Sequence, residues 1–153
     1  MGSGYVLDNI IFLKHFFYQV STIRTRFAEI SKLTADRAIS RTIKSAGMEW
    51  AIMIATHMDG TRKYLSAYLA AASTLTAPLP WSCSVSFSFK LIPHDLNKKQ
   101  YAVEQNTALF TPTKYSWGIP KFIAFEELLN PTSTYVKDDA IRMEISFKVF
   151  STM

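Results

Sequence analysis

The residues whose side chains could hold a metal or attack a substrate are few and widely separated. His15, His57 and His94 have no partner at a metal-ligand spacing, and Cys83 has no Cys or His two to four residues away. Structural zinc sites are built from closely spaced Cys and His pairs, so the sequence predicts no metal site. Apolar neighbours favour a structural place for Cys83 in a wall of the core, as is common for a free cysteine.

The paired carboxylates are also poor candidates for acid–base catalysis. Glu126 and Glu127 are adjacent in the sequence, as are Asp138 and Asp139. Adjacent side chains of a strand face opposite ways, and in turns such pairs are usually solvated. With only 5 glycines, the chain has no glycine-rich loop that could cradle a phosphate. The sequence therefore predicts a protein that is not an enzyme and that uses no cofactor.

The composition predicts one intracellular domain. The chain has 153 residues, of which 48% are hydrophobic and 14% aromatic, which is enough for one packed core. Its single cysteine allows no intrachain disulfide, and neither an export signal nor an apolar run of about 20 residues is present. We expect a cytoplasmic or nuclear protein that does not enter a membrane.

The net charge of +5 raises the question of nucleic-acid binding. Basic residues between Arg24 and Lys44 are scattered singly, without dense runs or interleaved aromatic residues. This pattern is typical of a solvated surface, so we predict no nucleic-acid partner.

Period-two alternation predicts the elements that hold the chain together. Residues 84–91 alternate Val85, Phe87, Phe89 and Leu91 with serines and a lysine, and residues 141–149 repeat the pattern. Such strands have one buried and one wet face, which predicts an antiparallel sheet packed on a second sheet. Phe87 accordingly belongs to the core face.

Further strands fit the intervening segments. Residues 50–55 are apolar throughout and are followed by the turn 58–60, while residues 64–71 place Leu65 and Leu69 on one face and Tyr68 on the other. Residues 101–110 are a weaker strand candidate, and residues 125–129 before Pro131 predict one helical turn.

The first forty residues fit two structures. Apolar residues from Ile10 to Ile30 follow a helical spacing of three and four, yet residues 12–23 are rich in aromatic and β-branched residues that favour strands. Periodicity alone leaves both a helix and a strand open here.

The stretch from Lys114 to Ile123 contains a Trp-Gly pair in a predicted turn. Glycine permits backbone conformations closed to other residues, and tryptophan offers a large rigid surface with one polar group. The Trp-Gly pair predicts either a binding surface or a Trp117 that simply plugs the end of the sandwich.

Four segments together resemble the MATH domain, the meprin and TRAF homology fold, and look similar to those of nematode-type MATH proteins. The segments, in the order of the family, are residues 47–52, residues 63–69, residues 81–83, and residues 116–123 with 127–129 and 138–139 downstream. The resemblance implies an all-β, TRAF-like antiparallel β-sandwich of seven to eight strands over residues 13–150. Residues 1–12 would be an N-terminal extension or a cloning remnant. Residues 13–23 would form the first strand and residues 24–39 a long connection, unless a helix precedes the sandwich.

The resemblance also implies a groove beside an edge strand, where an extended peptide adds as a further strand. The groove residues carried over are Tyr68, Lys114, Tyr115, Ser116, Trp117, Gly118 and Ile119. The chain departs from the family in having Ser116 where Asp is frequent and Ile119 where an aromatic residue is usual. Leu109 falls where some relatives place a groove tyrosine.

The function implied is a protein-interaction module that binds short extended peptides of partner proteins. In this family such a module serves as a substrate-recognition or adaptor domain in ubiquitin-related or receptor signalling pathways. The alternatives are a carbohydrate- or lipid-binding sandwich in which Trp117 and Tyr68 stack on a ligand, and a structural domain whose groove has decayed.

Overall fold

Two antiparallel sheets packed face to face form the protein. A computed structural model describes residues 10–13, 16–73 and 81–152. The elements in chain order are β1 (Ile10–Leu13), β2 (Phe16–Phe27), a 3-10 turn (Ile30–Lys32), β3 (Ala38–Ile39), β4 (Ile43–Ser45), β5 (Met48–Asp59), β6 (Arg62–Ser73), β7 (Cys83–Ile92), β8 (Tyr101–Phe110), β9 (Ser116–Ala124), α1 (Phe125–Leu128) and β10 (Ile141–Thr152). The predicted all-β sandwich is confirmed.

The order of the strands determines which of them lie at edges. In the first sheet the order is β1-β2-β10-β7-β8, and in the second it is β3-β5-β6-β9, with β4 also pairing with β5. Of the ten strands in the described residues, β1, β3 and β4 are two to four residues long, and the other seven form the body of the sandwich.

The alternating strands lie together at the centre of the first sheet, as predicted. β7 and β10 are antiparallel neighbours, with Phe87 opposite Phe147 and Val85 opposite Val149. All four side chains are buried. Phe147 reaches across to Trp50 of the second sheet, with ring centroids 5.5 Å apart, so the core lies between the two inner faces.

The hairpin of β5 and β6 forms the part of the second sheet that lies next to β9. Residues 50–55 are buried as predicted, but β5 continues to Asp59, and the chain turns at residues 60 and 61 rather than at 58–60. Gly60 has a positive φ of 62°, the conformation that tight hairpin turns demand and glycine adopts without strain. Leu65 and Leu69 of β6 are buried and Tyr68 faces the other way, which confirms the predicted faces.

The N-terminal region forms a strand, so the helical interpretation is wrong for residues 16–27. β2 pairs with β10 over its whole length, from Phe16 opposite Thr152 to Phe27 opposite Ile141. The long connection predicted to begin at Arg24 is wrong for the same reason, because β10 offers hydrogen-bonding groups to β2 as far as Phe27. Residues 1–9, 14 and 15 lie outside the described residues, and the boundary at residue 13 stays a prediction.

Two loops are joined where β2 ends. The backbone N–H of Ile30 donates to the carbonyl oxygen of Asp139 at 2.9 Å, and the N–H of Ser31 donates to the Asp139 carboxylate at 2.8 Å. Hydrogen bonds from the Ser31 hydroxyl and, after it, the Ser31 N–H lower the pKa of the Asp139 carboxyl because they stabilise its ionised form. The helical turn predicted at residues 125–129 is confirmed as α1.

Candidate functional site

The predicted groove residues meet at the open edge of the second sheet. β9 is the last strand of this sheet and pairs with β6 on one side only. The paired residues at the beginning of β9 are Tyr68 with Gly118, Leu69 with Trp117, and Ala70 with Ser116. Residues from 114 to 119, predicted from the Trp-Gly segment, therefore lie beside the predicted Tyr68.

One hydrogen bond determines which backbone groups of β9 face outward. The N–H of Ala71 donates to the carbonyl oxygen of Tyr115 at 2.9 Å, so these two residues form a hydrogen-bonded pair. Hydrogen-bonded and non-bonded pairs alternate along an antiparallel ladder. Trp117 therefore directs its backbone groups to β6, whereas Ser116 and Gly118 direct theirs away from the sheet.

Trp117 lies at the margin between the two sheets. Its side chain is half-buried and packs against the core, and its Nε1–H donates to the carbonyl oxygen of Leu109 in β8 at 2.9 Å. The Lys114 ammonium lies 4.7 Å from the centroid of the indole. The indole thus closes this end of the core and still leaves part of its surface in contact with solvent. The Leu109 side chain is 53% exposed and faces away from the core, because its neighbours Ala108 and Phe110 are buried. Ile119 packs against the core on the same face as Trp117.

Tyr68 covers Gly118 on the opposite, outer face. A Cβ atom at position 118 would lie 2.6 Å from the Cα and 2.7 Å from the Cδ1 of Tyr68, and closer still to the carbonyl oxygen of Ala67. Real Cβ atoms do not approach backbone so closely, so the site requires glycine. The reason predicted from the sequence was wrong, because Gly118 is not among the glycines with a positive φ and is required for space rather than for conformation.

Arg37 completes the outer face and was missed by the sequence reasoning. Its guanidinium carbon lies 4.6 Å from the centroid of the Tyr68 ring, and its Nη1 donates to the hydroxyl oxygen of Ser116 at 3.5 Å. No local signal marks this residue, because it lies 79 positions before Ser116 and resembles every other isolated surface arginine.

The far half of β9 does not offer a regular edge. The register between β6 and β9 shifts at Ser66. Residues 120–122 of β9 all lie opposite this one residue, between the pairs Ala67–Ile119 and Leu65–Ile123. Pro120 opens this bulge and has no N–H to donate, and its carbonyl oxygen accepts from the Ser66 hydroxyl at 2.8 Å. A strand that added to β9 would therefore pair with residues 116–119 and stop there.

Two contacts fix β9 at the bulge. The Tyr101 hydroxyl of β8 donates to the carbonyl oxygen of Phe122 at 2.7 Å. The Lys121 ammonium lies 2.5 Å from the Asp59 carboxylate, which lowers the pKa of Asp59 and raises that of Lys121. Together with the bond from Trp117 to β8, these contacts hold the edge strand in a fixed position relative to both sheets.

The remaining residues considered for chemistry have structural surroundings. Cys83 packs against the core as predicted, and burial raises the pKa of its thiol to about 11. Glu126 pairs with Arg62 at 2.6 Å, and Phe87 is buried in the core, as expected. Within the described ranges, no three His, Cys, Asp or Glu side chains are grouped closely enough to bind a metal ion. None of the helices in those ranges has the length and apolar character needed to cross a membrane.

Comparison with known proteins agrees with this architecture. A family model described as the MATH domain matches residues 15–147. Over 120 residues the chain is 26% identical to ubiquitin C-terminal hydrolase 13 of Arabidopsis thaliana. The aligned region covers 78% of this chain and 10% of that protein, so the chain spans about a tenth of the length of this relative. Because the family model covers most of the chain and the fold is the expected sandwich, the chain belongs to the MATH domain family.

Proposed function

We propose that this domain binds a short extended peptide of a partner protein along the first half of β9. MATH domains are protein-interaction modules, and the proposal specifies where and how this one makes contact. The peptide would add to the second sheet as one further strand and would fill the margin between the sheets with its side chains.

The observation that carries the proposal is the pair of outward-facing backbone positions at Ser116 and Gly118. An edge strand with free N–H and C=O groups is a template for another chain. β9 presents these groups over a short length, from Ser116 to Ile119, and the contacts to β8 and Asp59 hold the strand in place. A pre-positioned edge lowers the entropy that binding must overcome.

The side chains of the site suit an alternating ligand. Successive residues of an added strand face opposite sides of the sheet. One side chain would contact Trp117 and Ile119 at the margin between the two sheets, and the next would contact Tyr68 on the outer face. The two aromatic residues named from the sequence therefore contact different ligand residues rather than both sides of one.

The pathway is part of the same proposal. The similarity to a protein named as a ubiquitin C-terminal hydrolase supports a role as substrate-recognition or adaptor domain in a ubiquitin-related pathway. A single short groove buries little area, so we expect an affinity on the order of micromolar.

A peptide-array screen tests the proposal. The wild-type domain is expected to bind a set of extended peptides, and Trp117→Ala and Tyr68→Ala are each expected to weaken these hits at least about tenfold, as for aromatic hot spots. Tyr64→Ala is the matched control, since Tyr64 lies on the same strand and face as Tyr68 but is paired with Ala124 beyond the bulge.

Amide hydrogen exchange locates the bound strand. Addition of a hit peptide is expected to slow exchange at Ser116 and Gly118, whose N–H groups face outward, and to leave Trp117 unchanged because β6 already protects it. Peptide binding that survives both aromatic substitutions, or protection at any edge other than β9, would show that the groove is elsewhere.

A further inference from the structure

We infer that Arg37 makes this groove selective for a peptide with an acidic side chain next to an apolar one. The inference rests on the proposed function and adds the chemistry of the partner. The acidic side chain would lie on the outer face beside Ser116, and the apolar side chain would lie between the sheets beside Trp117.

The guanidinium of Arg37 is held at the position that a ligand side chain would reach. Its carbon lies over the Tyr68 ring and its Nη1 donates to the Ser116 hydroxyl oxygen at 3.5 Å, so it lies beside the part of β9 whose backbone groups face outward. The ring and the hydroxyl position the guanidinium, and among the described residues Ser116 uses one of its five N–H donors. The remaining donors are available to a carboxylate.

The positive charge of Arg37 is not neutralised by a neighbour. Within the described part of the chain, neither Arg37 nor Lys114 has a carboxylate at ion-pair distance, whereas Lys121 at the far end of β9 is paired with Asp59. Ser116 is neutral, and β9 contains no acidic residue. The beginning of β9 therefore has a cation over an aromatic ring on each face, Arg37 over Tyr68 and Lys114 over Trp117.

The geometry of an added strand assigns the ligand positions. A ligand residue opposite Ser116 directs its side chain to the outer face, toward Arg37, and the next residue, opposite Trp117, directs its side chain inward. On the inner side the half-buried indole and the half-buried Ile119 side chain offer an apolar surface. A ligand with an acidic residue directly adjacent to an apolar residue would therefore contact Arg37 on the outer face and Trp117 on the inner face.

Selection from a random library of eight-residue peptides tests this inference with the intact domain. Wild type is expected to enrich Asp or Glu at one position beside an apolar residue. Replacing that acid by its amide in the best peptide should weaken binding about threefold to tenfold, the size expected for one charge-assisted hydrogen bond at a partly exposed site. The difference should shrink in 0.5 M NaCl because salt screens exposed charges.

Variants of the arginine identify the cause. Arg37→Glu is expected to abolish the preference for an acid at that one position or to replace it by a preference for Lys or Arg, with the apolar position unchanged. Arg37→Lys, which retains the charge and loses the planar fork, should retain a weaker acidic preference. Arg41→Glu makes the same change of charge at an exposed residue on the other side of the short strand β3 and should leave the selected motif unaltered.

The outcomes separate the two proposals. If wild type selects peptides that depend on Trp117 but Arg37→Glu selects the same sequences, the acidic preference is wrong and the groove stands. If Arg41→Glu removes the preference as strongly as Arg37→Glu, net charge rather than this contact is responsible and the inference fails. If wild type selects no peptide, or selects peptides that Trp117→Ala still binds, the groove itself is refuted and the inference with it.

Discussion

In β7 and β10, at the centre of the first sheet, every second side chain is buried between the sheets, whereas β9 at the edge of the second sheet follows no such alternation. Its first four residues are all half-buried, the next two are exposed and the last three are buried. β7 and β10 use both of their edges for pairing with other strands, and β9 uses one.

This difference separates positions that hold the fold from positions that are available for binding. A core-facing side chain of β10 is surrounded on all sides by other residues of the protein, so its removal leaves a cavity. At the start of β9 no further strand covers one side, and single contacts such as the hydrogen bond from Trp117 to Leu109 hold the residues in place.

The largest expected effect comes from truncating one aromatic residue in each region. Phe147→Ala should lower the free energy of unfolding by about 3–5 kcal/mol, because the side chain is buried against Trp50 and leaves a cavity. Trp117→Ala removes a larger side chain but should cost only about half as much, because the indole is already partly in solvent. Urea denaturation of both variants measures the difference.

A polar neighbour provides the control for the core variant. Ser146 adjoins Phe147 in β10 and faces outward, so Ser146→Ala should change stability by less than about 0.5 kcal/mol. Equal losses for Phe147→Ala and Trp117→Ala would mean that β9 is as much a part of the core as β10, and the distinction between the regions would be wrong.

A smaller effect is expected from adding one methyl group to the edge strand. Gly118→Ala should destabilise the protein by about 1–3 kcal/mol, since the new Cβ meets the backbone of β6 and β9 must shift outward. The measurement is again urea denaturation, now combined with exchange rates of the amides of β9.

A second substitution shows which atoms cause the clash. In a Tyr68→Ala background the backbone contacts at Ala67 and at position 68 remain, so Gly118→Ala should still be destabilising. Complete rescue by Tyr68→Ala would instead assign the requirement for glycine to the tyrosine ring alone, and β9 would be less tightly fixed than the geometry indicates.

The two regions also differ in how far the sequence predicts them. The faces of β7 and β10 follow from alternation, because burial on one side repeats every two residues and leaves a regular pattern. The N-terminal strand was ambiguous, because the spacing from Ile10 to Ile30 fits a helix and only the long partner strand β10 decides for a strand. Tertiary pairing here overrides the helical spacing of the apolar residues and agrees with their strand propensity.

At the site, the family resemblance named both the Trp-Gly segment and its neighbour Tyr68, but the turn predicted for the Trp-Gly pair is wrong, because both residues lie in β9. Arg37 reaches Ser116 across the outer face of the second sheet, a contact that depends on the path of a distant connection. The sequence also could not predict why position 118 requires glycine. The close approach of β6 and β9 has no local sequence pattern, whereas a hairpin turn such as that at Gly60 has one.

The smallest effect concerns Cys83, which begins β7 on the same face as Val85 and tests how far the core character of that strand extends. Burial raises the pKa of this thiol to about 11, so little thiolate is present at pH 8. Alkylation by iodoacetamide at pH 8 should be at least about tenfold slower in the native protein than in urea, after allowing for the higher reactivity of a more basic thiolate. Because the chain has one cysteine, the measured rate belongs to Cys83 alone.

The raised pKa of Cys83 also predicts how the protein responds to pH. The alkylation rate of the native protein should rise with pH up to about 11. Because the thiol of the unfolded chain loses its proton at a lower pH than that of the folded protein, the free energy of unfolding should fall above about pH 8.5. An alkylation rate in the native protein equal to that in urea would show that the beginning of β7 is exposed to solvent, like the start of β9. The buried part of β7 would then begin at Val85 rather than at Cys83.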